Sequence, residues 1–223
     1  MLSIYTNQVL EVFKLHEDPM AAAPMAKYMK NKFAYFGINS PTRKEISKTL
    51  LQLNALPPIE EAPLVARALW DQPQRELQYF ALEFLQKYAR HSPDDWIDLY
   101  EELIIEKSWW DSVDGLAANQ VGGHFKKYPD QIPNYTKKWM ASGNIWLQRS
   151  CLIFQLKYKD LTDFELMKSF IIPLVDEKEF FIKKAIGWAL RQYGKFNPQA
   201  VIDFVEQQPM SNLSRREALK LIG

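Results

Sequence analysis

Four stretches of the chain end alike. EFLQKYARHSPDDWIDLY, GGHFKKYPDQIPNYTKKW, IFQLKYKDLTDFELMKSF and ALRQYGKFNPQAVIDFVE each close a helical pattern with a basic residue and a tyrosine, turn, and open a second amphipathic helix. The tyrosines Tyr88, Tyr128, Tyr158 and Tyr193 fall at intervals of 40, 30 and 35 residues. A helix pair repeated in this way cannot bury its apolar face alone, so each pair must stack on the next. The expected fold is all-α.

Helical periodicity runs from end to end. It predicts helices over about 2–16, 21–31, 40–53, 59–70, 73–90, 93–106, 109–122, 129–141, 144–158, 163–175, 178–194, 197–207 and 213–221. Ser40-Pro41 reads as an N-cap followed by proline at the first helical position. Pro57-Pro58, Pro73, Pro93, Pro129 and Asn197-Pro198 fall near the joints, where a missing N–H costs least. Gly194 stands where a C-terminal cap belongs. The irregular period resembles HEAT-like repeats more than strict TPR units, which predicts an α-solenoid forming a single curved domain over 1–223 with a concave binding face. Only 8 glycines occur in 223 residues, and few stretches alternate apolar with polar; both observations lean away from sheets.

One cysteine, Cys151, excludes an internal disulfide and suits a reducing compartment. With His16, His91 and His124 far apart, it also argues against a zinc site. No basic-plus-apolar leader opens the sequence, and no run approaches the roughly 18 apolar residues of a membrane span. A cytoplasmic protein without a membrane partner is expected. The net charge of +1 does not by itself suggest a nucleic-acid binder, but the charge is unevenly spread. Residues 1–120 carry 12 Lys+Arg against 17 Asp+Glu, leaving 16 against 10 for the remainder. Basic clusters recur in the second half, among them Lys126-Lys127, Lys137-Lys138, Lys183-Lys184, Arg191 with Lys195, and Arg215-Arg216. They read either as an electropositive face or as solvated helix surfaces.

The stretch KSWWDSVDGLA, residues 107–117, sets two tryptophans beside two aspartates. Ser108 with Asp111 fits a helix cap with an acid in the first turn, which explains Asp111 structurally. Asp114 has no such explanation. It lies one helical turn beyond Trp110 on the same face, while Trp109 points about 100° away. One indole therefore enters the core and the other lines a surface, where an indole and a carboxylate together attract a cation. Arg149 sits in the apolar helix IWLQRSCLIFQLKY, where an unpaired charge would be costly; it reads as a buried interhelix salt bridge or as a ligand contact. Trp188, in KKAIGWALRQYGK, reads as a core anchor or as a site residue. Measured from their repeat tyrosines, Arg149 and Trp188 lie within about 40° of each other in helical phase. Asp114 does not share that phase, with Gly122-Gly123 between it and its tyrosine. Near the N-terminus, MAKYMKNKFAYFGINSPTRKEI offers Tyr28, Lys30, Lys32, Asn39 and Arg43 around a glycine turn, either as phosphate contacts or as a packing corner.

Together, YMKNKFAYFGINSPTRKEI, SWWDSVD, Arg149 after a tryptophan-led helix start, and KKAIGWALRQYGK resemble the AlkD-like family of DNA alkylation repair glycosylases over most of the chain. The resemblance implies a HEAT-like solenoid whose concave basic face holds duplex DNA. It also implies excision of cationic N-alkylated purines, chiefly N7-alkylguanine and N3-alkyladenine, with the lesion left stacked and no cofactor. Matched motif by motif, it puts Asp114 at the catalytic carboxylate position, with Trp110 and Trp188 flanking it and Arg149 contacting DNA beside the lesion. Tyr28 is a weaker match at the cleft, and Asn39 replaces the expected glutamine. Lys30, Arg43, Lys183, Lys184 and Arg191 are further expected DNA contacts, and the chain is expected to act as a monomer. Two alternatives stand beside this reading: a catalytically silent DNA-binding relative, against which the retained set of four speaks, and a protein-binding HEAT scaffold, which has no need of an aromatic-carboxylate cluster.

Overall fold

The computed structural model describes residues 2–52 and 56–222. Every predicted helix forms: α1 (Ile4–Lys14), α2 (Pro19–Tyr28), α3 (Ser40–Leu50), α4 (Ala62–Trp70), α5 (Arg75–Tyr88), α6 (Trp96–Ile105), α7 (Trp110–Gly115), α8 (Gly122–Lys127), α9 (Ile132–Ala141), α10 (Ile145–Ile153), α11 (Phe164–Ile171), α12 (Phe180–Tyr193), α13 (Pro198–Gln207) and α14 (Asn212–Leu219). Short 3-10 turns follow α10 and α11 and precede α4 and α9. Among the described residues no strand forms, and an isolated parallel bridge joins Ala34 to Gln74. The fold is all-α and built from helix pairs. No helix among the described residues is long and apolar enough to cross a membrane.

The chain divides into two compact units, Met1–Pro93 and Asp94–Gly223. In the first, Val9, Phe13, Leu69, Phe80 and Phe84 are completely buried. Phe13 meets Phe80 edge-on at 5.6 Å, and Tyr5 lies 5.4 Å from Phe84. Buried Arg75 lies over the Phe33 ring at 3.9 Å. Glu76, 1% exposed, accepts the backbone N–H groups of Phe36, Gly37 and Ile38 at 3.1, 3.0 and 3.2 Å. That turn needs glycine: Gly37 has φ +90°, and a Cβ there would lie 2.0 Å from the Asp18 carbonyl oxygen. In the second unit Phe125 packs on Phe154 and Trp139, at 5.2 and 6.0 Å. The Trp139 indole N–H donates to Glu101 at 2.7 Å.

The recurring tyrosines now have a physical reason. Tyr88 donates to the Pro57 carbonyl at 2.6 Å and Tyr158 to the Gly122 carbonyl at 2.8 Å, while Tyr193 stacks on Phe164 at 4.4 Å. Each ties the end of its segment to an earlier part of the chain; a hydroxyl bond such as those of Tyr88 and Tyr158 contributes about 1 kcal/mol. Tyr128 instead packs on His124 of its own helix, at 4.8 Å.

Several local expectations change. The cap of α3 is Asn39, not Ser40: the Asn39 side chain accepts the Thr42 N–H at 3.0 Å, because the shorter amide sits one residue ahead of the proline turn. The helix ends at Leu50, and the expected end at Leu53 lies outside the described residues. Ser108 does not cap α7. Lys107 adopts the left-handed region at φ 49°, and the Ser108 hydroxyl donates back to Ile104 and Ile105, closing α6 instead. The helix predicted over 109–122 runs on to Lys127 through a π-helical stretch, Leu116–Val121. Gly194 does end α12 but stays right-handed, at φ −58°. Its lack of a side chain makes room for Ile222, whose Cδ1 would lie 2.6 Å from a Cβ.

Candidate active site

The second unit carries a cleft of about 290 Å³ lined by Trp110, Asp114, Arg149, Phe180, Phe181, Lys184, Trp188, Arg191 and Glu217. Four separate helices supply these residues. Helix α7 presents Trp110 and Asp114 one turn apart, and Trp109, its N-cap, turns the other way. The Trp109 ring packs 5.7 Å from Trp146 and 5.0 Å from Phe181, which are themselves 4.9 Å apart. This aromatic cluster joins the starts of α7, α10 and α12 beside the cleft. The α10 start is fixed by Asn144, whose side chain accepts the N–H groups of Trp146 and Leu147. One turn later the helix delivers Arg149.

Arg149 and Asp114 form a bidentate pair, Nε to Oδ1 at 2.7 Å and Nη2 to Oδ2 at 2.8 Å. The third guanidinium nitrogen, Nη1, donates to the Phe181 carbonyl. The arginine side chain is 5% exposed and the aspartate 18%. The buried arginine thus engages the carboxylate in the fork geometry of an ionised partner. Burial raises the Asp114 pKa above the ordinary aspartate value; Arg149, by hydrogen bond and by charge, opposes that rise, and Asp111 adds to it. The aspartate is thus poised between a dry environment that disfavours its charge and a cation that restores it.

On α12, Lys184, Trp188 and Arg191 share one stripe at i, i+4 and i+7. Sequence reasoning missed Glu217 on α14, which pairs with Lys184 at 2.9 Å and with Arg191 at 2.7 Å. The Lys184 hydrogen bond, with the charges of both cations, holds the Glu217 pKa below its usual value. Phe180 and Phe181 were missed as well. The signal for Glu217 lay in Gly187, an interior helix glycine flanked by cations, which implies the close approach of another helix. Lys183, although adjacent, does not line the cleft; its carbonyl accepts the Ser214 hydroxyl at 3.1 Å.

The remaining candidates lie in the first unit. Tyr28 and Arg43 line a separate cleft of about 400 Å³ with Tyr35, Glu76 and Tyr79. Tyr28 is 71% exposed. Arg43 pairs with Glu83 at 2.6 Å and lies 5.1 Å from the Tyr79 ring centroid. Lys30, in a left-handed turn after α2, and Asn39 are exposed and outside that cleft.

An aspartate held by arginine in a cleft lined by two indoles is suited to stabilising a positive charge. Residues 9–222 match the DNA alkylation repair enzyme family. The chain belongs to that family. The solved structure of a predicted DNA alkylation repair enzyme from Enterococcus faecalis superposes with a TM-score of 0.86 at 33% identity, covering 93% of this chain and 97% of that one. A comparison with curated proteins finds no match. Family membership supports a role in DNA alkylation repair, with DNA as the partner, and it spans both units.

Proposed function

We propose that this DNA alkylation repair enzyme is a glycosylase that hydrolyses the N-glycosidic bond of cationic alkylated purines, N7-alkylguanine and N3-alkyladenine, in duplex DNA. The observation that carries the proposal is the single cleft in which Trp110, Asp114, Arg149 and Trp188 meet. An alkylated purine already carries positive charge and leaves without a strong general acid. As the bond from the sugar C1′ to the purine nitrogen breaks, its electron pair goes to the purine and neutralises it. Positive charge then grows on the deoxyribose. The Asp114 carboxylate stabilises that charge and takes a proton from the water that attacks C1′. The indoles of Trp110 and Trp188 pack against the sugar and add cation–π stabilisation. Arg149 orients the carboxylate and keeps it ionised.

In this reading the reaction needs neither metal nor organic cofactor, the protein acts as a cytoplasmic monomer on a HEAT-like scaffold, and the lesion stays stacked. Lys184 and Arg191 contact backbone phosphates, and Tyr28, Lys30, Asn39, Arg43 and Lys183 supply further contacts to DNA. The deciding experiment is release of free base from a duplex carrying one N7-methylguanine. Release by the wild type, lost in Asp114→Asn while duplex binding persists, is the expected result. Duplex binding without release by either protein would instead identify a catalytically silent DNA-binding relative. Absence of duplex binding by both proteins would leave a protein-binding scaffold.

A further inference from the structure

Glycine is disfavoured inside a helix, yet Gly187 stands in the middle of α12. A Cβ there would lie 2.5 Å from the Glu217 Cβ and 2.9 Å from the Ser214 carbonyl oxygen. Gly187 thus lets α14 lie directly against α12, and the Ser214 hydroxyl, bonded to the Lys183 carbonyl at 3.1 Å, fixes the same approach. Glu217 is set beside Gly187 and spans two cations, Oε1 to Lys184 Nζ at 2.9 Å and Oε2 to Arg191 Nη1 at 2.7 Å. Lys184 precedes Trp188 by one turn and Arg191 follows it by one, so the bridged cations flank the indole.

Exposure orders the three charges. Glu217 is 13% exposed, Arg191 22% and Lys184 36%. The carboxylate is the most withdrawn, and the cations reach further into solvent. An ammonium has three donors and a guanidinium five. Glu217 engages one side of each cation and leaves the pair suited to a second anion.

We propose that Glu217 is a positioning residue: it fixes Lys184 and Arg191 as a two-point anchor for backbone phosphodiesters on either side of Trp188, and so sets the target sugar against that indole. This rests on the DNA glycosylase reading above. Lys184 and Arg191 are long, flexible side chains, and one shared carboxylate restrains both. A carboxylate that only added negative charge would weaken DNA binding, and its removal would help binding and base release together. A positioning carboxylate separates the two quantities.

The test compares wild type, Glu217→Gln and Glu217→Asp on an undamaged duplex and on the same duplex with one N7-methylguanine. The glutamine keeps the shape and loses the charge. Glu217→Gln is expected to bind undamaged duplex at least as tightly as the wild type, while its single-turnover rate of base release falls about tenfold through misplacement of the sugar. Glu217→Asp, which keeps the charge, recovers part of the rate. Release by Glu217→Gln at or above the wild-type rate overturns this inference alone. Loss of binding and release in proportion, with a lower thermal midpoint, also overturns it, because Glu217 would then be a packing tie. Absence of release by the wild type itself sinks the glycosylase reading and this inference with it.

Discussion

Glu76 in the first unit and Asp114 in the second are both carboxylates withdrawn from water, and burial raises the pKa of each. They differ in what holds them. Glu76 is met by three backbone N–H groups of one turn, which cannot leave without unfolding it. Asp114 is met by the Arg149 side chain and lines a cleft with Trp110 and Trp188. The first arrangement fixes a turn. The second leaves the charge to a side-chain partner. Both carboxylates line a cleft, so neither burial nor adjoining space by itself marks an active site; the two differ in being held by backbone or by a side chain.

The comparison breaks most sharply through substitution of each carboxylate by its amide. Asp114→Asn is expected to lower single-turnover base release about 10³-fold, roughly 4 kcal/mol of transition-state stabilisation, with duplex affinity within a few-fold of wild type. Glu76→Gln is expected to do the reverse. Replacing one charged acceptor shared by three buried donors should lower unfolding stability by about 3 kcal/mol, while base release per folded molecule stays unchanged. Its pH dependence carries a sign. The folded Glu76 pKa lies above the unfolded value of roughly 4.3, so at pH values between the two the native state holds a proton that the unfolded chain has lost. Stability from this group falls as pH rises through that window, and urea titrations of Glu76→Gln should lack this component. Loss of base release in Glu76→Gln without loss of fold would erase the distinction between the two carboxylates.

How much of this was legible before the structure depends on sequence distance. Helices were legible because prolines mark their joints and apolar positions recur with helical spacing; the ends shifted where a cap such as Asn39 or a turn such as Lys107-Ser108 decided the matter atom by atom. Trp110 and Asp114 were legible as a pair because one helical turn separates them. Arg149 was legible as an anomaly, a charge among apolar residues, but its partner was not. The repeat-phase comparison failed to align Asp114 with Arg149 and Trp188 because the π-helical stretch Leu116–Val121 resets the phase between Asp114 and Tyr128. Such wide turns recur at functional sites. No motif in the sequence singled out Glu76 or Glu217. Their partners lie 26 to 40 residues away in sequence, and only tertiary packing brings them together.

The arginine of the second unit sharpens the contrast further. Lysine at position 149 keeps a positive charge but loses the fork that engages both Asp114 oxygens. Arg149→Lys is expected to lower base release about tenfold at neutral pH, about 1.4 kcal/mol. The pH profile separates orientation from charge. Asp114 must be ionised to act, so release falls as pH drops through its pKa, which burial sets above the ordinary aspartate value. With the hydrogen bonds of Arg149 weakened, less opposes that burial, and the acid limb moves to higher pH in Arg149→Lys. A limb that stays in place, with only the plateau lowered, would mean that Arg149 orients the carboxylate without tuning it.

The smallest effect belongs to the ion pair of the first unit. Arg43 and Glu83 approach to 2.6 Å, as close as the pair at Asp114, but Glu83 is 33% exposed and the contact is made through one nitrogen. Water and salt screen such a pair, and the ordering of two long side chains offsets most of its Coulomb energy. Glu83→Gln should therefore cost about 0.5 kcal/mol in urea unfolding at low ionic strength and less in 1 M salt, where the screening length is about 3 Å. Arg43 keeps its place over the Tyr79 ring and loses its carboxylate, so duplex affinity at low salt should hold or rise slightly if Arg43 meets phosphate. A loss above about 2 kcal/mol, insensitive to salt, would mean that this pair behaves as a buried one. Distance alone would then have been the wrong guide to it, and exposure too.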